Sequence, residues 1–131
     1  MENNEAPCRI VLADDHVLIR HGIRIILSSD KNLLIVGEVS NGDELLARLR
    51  NTAVDLLILD ISMPKVSGIE LMEILKKSYP NLKVLVLTMH KNVRFLRRTL
   101  AAGADGYLVK SDTEQEIISA ITKIREGGTY I

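Results

Sequence analysis

Five short runs rich in Val, Ile and Leu, separated by longer segments with helical spacing, constrain this chain more than any other feature of its sequence. The runs are Arg9–Ala13, Leu34–Val39, Asp55–Leu59, Lys83–Leu87 and Gly106–Val109. Each has the length of a strand, and several are apolar at consecutive positions. Strands buried on both faces of a parallel sheet show that pattern, whereas half-buried strands alternate.

The intervening segments repeat at the period of a helix. Leu18, Gly22 and Ile25 share a face, as do Leu45 with Leu49, and Ile69, Met72 and Leu75. Ile117, Ile118, Ile121 and Ile124 mark a last helix that Gly127-Gly128 would stop. Asp43 and Ser67 stand where helix N-caps are expected, and Pro80 closes the helix predicted over Gly68–Ser78. Strands alternating with helices predict an α/β domain with a doubly wound, mostly parallel (βα)5 sheet. Right-handed crossovers leave few topologies, of which strand order 2-1-3-4-5 is the common one at this length.

Bulk composition removes several classes of function. The chain of 131 residues carries 17 basic and 17 acidic side chains, so it lacks the overall basic field of a nucleic-acid-binding module. Cys8 is the only cysteine and cannot form an internal disulfide. Met1–Pro7 is polar and acidic, unlike a signal peptide, and no apolar run approaches the roughly 20 residues of a membrane span. A cytoplasmic protein is expected.

Polar residues gather where such a sheet binds ligands, at the carboxyl ends of its strands. The first strand runs into Asp14-Asp15, the third into Asp60, the fourth into Thr88 and the fifth into Lys110. In order 2-1-3-4-5 these ends are neighbours. Carboxylates about 4 Å apart repel by about 4 kcal/mol at an effective dielectric of roughly 20, so either one takes up a proton or a cation sits among them. Oxygen ligands favour Mg²⁺ or Mn²⁺. A carboxylate beside such an ion can attack a phosphoryl group, with the metal, the Lys110 ammonium and the Thr88 hydroxyl each neutralising one peripheral oxygen. Asp60 is the best nucleophile, because it ends the central apolar strand. Asp14 and Asp15 are better placed to carry the metal. Any one of these aspartates alone reads as a turn residue; the signal is the set.

The matching pieces are Ala13-Asp14-Asp15-His16, Leu59-Asp60-Ile61-Ser62-Met63-Pro64 followed by Gly68, Leu87-Thr88, and Gly103-Ala104-Asp105-Gly106-Tyr107-Leu108-Val109-Lys110. From Arg9 to Ile131 the chain resembles the receiver domains of bacterial two-component response regulators, which have the flavodoxin- and CheY-like fold. The resemblance implies a phosphoacceptor domain rather than an enzyme, one that assists its own phosphotransfer and slow autodephosphorylation. Asp60 would accept phosphate from a sensor histidine kinase. Asp15, Asp60 and the Ser62 carbonyl would bind Mg²⁺, with Asp14 acting through water. Thr88 and Tyr107 would form a switch pair beside Lys110. Tyr107 could equally be a static aromatic packed at the sheet edge.

Thr88-Met89-His90, the Gly-Ala-Asp-Gly-Tyr run and the ending Glu126–Ile131 are similar to the subgroup with a C-terminal LuxR-type helix-turn-helix domain. Residues 1–8 are then an N-terminal extension and 9–131 the receiver domain, with a DNA-binding domain outside the residues present. That subgroup implies a homodimer on phosphorylation and DNA contact only through the further domain. Two features depart from the broad pattern: Ser111 replaces the proline common after the lysine, and Met89 is bulkier than the usual residue after the threonine. Met89 and His90 are therefore candidate modulators of access to Asp60.

Other readings fit less well. A flavodoxin-type binder wants a glycine-rich phosphate cradle after the first strand, where this chain has Asp14-Asp15-His16. An aspartate-nucleophile phosphatase wants an acid two residues after the nucleophile, where this chain has Ser62. A degenerate receiver, serving only for docking, would not be expected to keep all five site residues. Lys91, Arg94, Arg97 and Arg98 read first as a solvated basic helix face and second as a partner-binding surface, and His16, His21 and His90 have no metal-ligand spacing in any pair.

Overall fold

The computed structural model describes residues 7–61, 63, 68–89 and 93–131. Five strands, β1 (Cys8–Ala13), β2 (Leu33–Val39), β3 (Leu56–Asp60), β4 (Lys83–Thr88) and β5 (Gly106–Val109), form one parallel sheet in the order β2-β1-β3-β4-β5. The helices are α1 (Val17–Leu27), α2 (Gly42–Asn51), α3 (Gly68–Ser78), α4 (Val93–Ala101) and α5 (Thr113–Arg125), with a 3-10 turn over Lys110–Asp112. Fold class and strand order agree with the expectation from sequence. No helix among the described residues is long and apolar enough to cross a membrane.

Strand side chains alternate between two cores. Ile10, Leu12, Leu56, Ile58, Leu85, Leu87 and Leu108 pack with Ile23 and Leu27 of α1 and with Ile117, Ile121 and Ile124 of α5. Val11, Ala13, Leu57, Leu59, Val84, Val86 and Tyr107 pack with Leu45 and Leu49 of α2 and with Leu71, Met72 and Leu75 of α3. Burial on both faces explains the unbroken apolar runs. β1 takes in Cys8, one residue before the predicted run, and its backbone N–H donates to the Asn32 carbonyl at 2.7 Å. Burial pushes the Cys8 thiol up to about 11; Asp55 adds to the rise, and Arg125 opposes it.

One helix face turns outward, and one expected cap needs correction. Leu18, Gly22 and Ile25 do share a face of α1, but it points to solvent, with Leu18 83% and Ile25 57% exposed. Ile23 and Leu27 are the buried residues. Arg20, His21 and Arg24 confine the polar side of this helix to one narrow arc, so its apolar arc is wider than the sheet can cover and Leu18 and Ile25 are left outside. The N-cap of α2 is Asn41, not Asp43: extended backbone at Asn41 lets its Oδ1 accept from the Glu44 N–H at 2.9 Å. Asp43 lies in the first turn, where its charge favours the helix N-terminus. The expected cap Ser67 is outside the described residues, whereas α3 does end at Ser78, just before Pro80.

The Gly-Ala-Asp-Gly run is structural. Gly103 has φ +109°, and a Cβ on Gly106 would meet Ile124 Cδ1 at 2.7 Å and Leu85 Cδ1 at 2.9 Å. Asp105 Oδ2 accepts from the Val84 N–H at 2.9 Å, fixing the start of β5 against β4. Beyond α5 the chain returns to β5. Tyr130 forms a parallel bridge with Gly106, the Tyr107 N–H donates to the Tyr130 carbonyl at 2.9 Å, and the Tyr130 N–H donates to the Asp105 carbonyl at 3.1 Å. The Tyr130 hydroxyl donates to Glu116, and that bond raises the phenol above the ordinary tyrosine range.

Candidate functional site

Strand register builds the site. β1 pairs with β3 up to Ala13 opposite Leu59, β3 with β4 up to Asp60 opposite Leu87, and β4 with β5 up to Thr88 opposite Val109. The next residue along each of these pairings is Asp14, Asp60, Thr88 or Lys110, so four strand ends deliver their polar residues to one rim. Asp60 is fully buried, with Asp14 at 2% and Lys110 at 7% exposure. Thr88 is also buried, while Asp15 faces solvent.

The distances show one interacting cluster. Lys110 Nζ donates to Asp60 Oδ2 at 3.0 Å and lies 3.1 Å from Asp14 Oδ2. The latter is an ion pair without hydrogen-bond alignment, since Asp14 Oδ2 has no hydrogen bond. Asp14 is held by its backbone: its N–H donates to the Val39 carbonyl at 3.0 Å, and its carbonyl accepts from the Arg20 guanidinium. Asp14 Oδ1 accepts from the His16 N–H at 2.8 Å, which curls the loop that leads into α1.

His16 belongs to this cluster, although the sequence reading leaves it out. Its Nδ1 lies 2.9 Å from Asp14 Oδ1, 3.3 Å from Asp15 Oδ1 and 3.7 Å from Asp60 Oδ2. Lys110 Nζ approaches the same nitrogen at 2.9 Å. Spacing between histidines gives no warning of this, because no second histidine joins His16 among the described residues. Its place directly after the two aspartates is the signal that could have found it.

The donor set fits a divalent cation. One ligand atom from each of Asp14, Asp15, His16 and Asp60 lies within 4.8 Å of the others. Among the described residues two carboxylates of this cluster are buried, and the Lys110 ammonium alone does not balance them. The buried Asp14 Oδ2 has an ion pair with Lys110 but no hydrogen bond, a remaining capacity that a cation's water shell satisfies. Of the remaining expected residues, Tyr107 is buried in the core against which Phe95, Leu96 and Leu100 of α4 pack, and Met89 is exposed just past Thr88. Ser62, His90 and Lys91 lie outside the described residues. Arg94, Arg97 and Arg98 are exposed on α4.

Comparison with known proteins gives a consistent answer. The response regulator receiver domain family matches residues 10–122. The chain is 38% identical to the response regulator UvrY of Escherichia coli K12, covering 93% of this chain and 56% of that protein. It is 35% identical to the transcriptional regulatory protein DegU of Brevibacillus brevis, over 98% and 54% of the two chains. The chain thus spans about half the length of these curated relatives. Among solved structures, the isolated receiver domain of RcsB from Salmonella enterica serovar Typhimurium, with the phosphomimetic BeF3⁻, superposes with a TM-score of 0.90 at 28% identity, covering 95% of this chain and 94% of that one. A LuxR-family two-component response regulator from Aurantimonas gives a TM-score of 0.89 at 29% identity, over 96% and 90%.

Proposed function

The chain belongs to the response regulator receiver domain family, and from that premise we propose that Asp60 is its phosphoacceptor, charged by a sensor histidine kinase. The observation that carries this reading is the buried contact of Lys110 Nζ with Asp60 Oδ2 at 3.0 Å, at the rim where four strand ends meet. A carboxylate there is nucleophilic, is held in one orientation, and has a cation beside it for the charge that arrives.

Phosphotransfer makes one bond between an Asp60 carboxylate oxygen and phosphorus while the P–N bond of the donor phosphohistidine breaks; the leaving imidazole takes up a proton. Lys110 neutralises one peripheral phosphoryl oxygen and the Thr88 hydroxyl donates to another. Asp15, Asp60 and the Ser62 carbonyl would hold Mg²⁺ or Mn²⁺, with Asp14 acting through water. When bound, the ion supplies positive charge to the third oxygen and to the nucleophile. No carboxylate stands two residues past Asp60 to activate hydrolytic water, so the aspartyl-phosphate decays slowly.

Readout runs through Thr88 and Tyr107. When the Thr88 hydroxyl turns toward the phosphoryl group, the Tyr107 ring shifts toward the space it vacates, biasing β5 and α4 between two arrangements. Met89 and His90, next in sequence to Thr88, modulate access to Asp60. Transcription is the output, through dimerisation and a DNA-binding domain outside these residues, and the setting is the cytoplasm. What supports this part is the likeness to regulators such as DegU and RcsB, the latter solved as dimers bound to DNA.

The test is intact mass after incubation with Mg²⁺ and a small acyl-phosphate donor. A gain of one phosphoryl group, dependent on Mg²⁺ and absent in Asp60→Asn, is the expected result. An unmodified wild-type chain with metal bound would turn the assignment to phosphorylation-independent docking.

A further inference from the structure

His16 Nδ1 is in a position that no proton can satisfy. If the nitrogen carries its lone pair, it accepts from Lys110 Nζ at 2.9 Å, but then it sets that lone pair against Asp14 Oδ1, also at 2.9 Å. If it carries hydrogen, it donates to Asp14 but opposes the Lys110 ammonium. One ring nitrogen fills only one of these roles at a time. His16 also precedes α1 without capping it, so its ring is not held there by the helix N-terminus.

A bound cation removes the clash with Asp14, because imidazole nitrogen and carboxylate oxygen then both face positive charge, and Lys110 Nζ gives up the nitrogen while keeping Asp60 Oδ2 at 3.0 Å. The spacings suit this. Two ligand atoms about 2.0–2.1 Å from one ion are about 2.9 Å apart at a right angle and about 3.3–3.4 Å apart at the tetrahedral angle. His16 Nδ1 stands 3.3 Å from Asp15 Oδ1, the carboxylate that would hold the ion directly. Asp14 Oδ2 is buried with no hydrogen bond, held only by its ion pair with Lys110 at 3.1 Å, which leaves it lone pairs to offer a metal-bound water.

We propose that His16 Nδ1 is a direct metal ligand of this pocket, making it a mixed nitrogen–oxygen site that holds Mn²⁺ and Zn²⁺ through the imidazole as well as the carboxylates. This rests on the reading of the pocket as the receiver's cation site, and adds a nitrogen donor to it. Imidazole suits the transition ions and adds little for Mg²⁺, which keeps oxygen ligands and water. His16 therefore separates the metals: its loss weakens Zn²⁺ and Mn²⁺ while leaving Mg²⁺ nearly unchanged.

The experiment uses the tag-free chain loaded with Mn²⁺ and reads nitrogen coupling by pulsed electron paramagnetic resonance, with calorimetric titration of Zn²⁺ and Mg²⁺ alongside. Expected are a directly bound ¹⁴N signal in the wild type, its loss in His16→Asn, and a drop in Zn²⁺ affinity of about tenfold or more with Mg²⁺ affinity within about twofold. Mn²⁺ bound by wild type with oxygen ligands only would overturn the assignment of His16. In that case Mg²⁺-dependent mass labelling of Asp60 would still stand, and only the nitrogen ligand would be withdrawn. If the wild type bound none of these ions and took no label, both readings would fall together.

Discussion

Lys110 Nζ and Asp60 Oδ2 meet at 3.0 Å inside the protein, although the two residues are 50 positions apart in the chain. The site around them is over-supplied with negative charge, so the sign of a mutation depends on which charge it removes. Lys110→Met strands the buried carboxylates and should cost about 3–5 kcal/mol in metal-free buffer. Asp14→Asn keeps an oxygen for the His16 N–H and should raise stability by an amount on the order of 1 kcal/mol, while losing the gain that Mg²⁺ gives the wild type. Urea unfolding followed by circular dichroism, with and without Mg²⁺, reads both.

The orientation of α1 can be checked by stability alone. Ile23 is buried and Leu18 exposed, so Ile23→Ala should cost about 2–5 kcal/mol. Leu18→Gln should stay within about 0.5 kcal/mol of wild type. Equal losses at both positions would reverse the assignment of the buried face.

Gly68 has no room for a side chain. A Cβ there would lie 2.6 Å from both the Cβ and the carbonyl oxygen of Ile61, the residue after Asp60. Backbone must move to admit it, so Gly68→Ala should cost about 1–3 kcal/mol and weaken Mg²⁺ binding together with stability. Calorimetric metal titration beside thermal unfolding distinguishes this from a purely global effect.

Cys8 should be slow to alkylate while the protein is folded. With its thiol pushed up to about 11 and its side chain buried, the thiolate is about one part in a thousand at pH 8. Iodoacetamide labelling, followed by mass, should accelerate sharply when urea exposes the residue. The shift also makes the folded thiol hold its proton after the unfolded one has lost it. This contribution to stability is fully present below pH 9 and is lost as pH rises from about 9 to about 11.

How much was legible in sequence followed from how local each cause was. Strand ends were readable because consecutive apolar residues stop abruptly at Asp14, Asp60 and Thr88, and burial on both faces leaves little slack in where a strand can finish. The buried side of α1 was not, because its apolar arc is wider than the buried stripe and only the sheet selects Ile23 over Leu18. Asn41 capped α2 instead of Asp43 because a cap depends on backbone direction, which both residue types tolerate. His16 joined the site through the curl that its own N–H makes with Asp14, a geometry that residue spacing does not encode. The return of Tyr130 to β5 depends on the loop after α5 and carries no apolar period to announce it.

That return decides how copies of this domain can meet. A terminal strand such as β5 ordinarily offers a row of backbone donors and acceptors on which a stranger's strand can template. Here Tyr130 occupies part of that row, exchanging bonds with Tyr107 and Asp105. At the opposite border, β2 is broken by an irregularity where its pairing with β1 slips between Ile10 and Val11. Bulged borders resist edge-to-edge growth. Both borders of the sheet are thus poor seeds for amyloid-like stacking, and self-association is left to the helical faces, where contacts between folded molecules can form and dissolve without opening the fold.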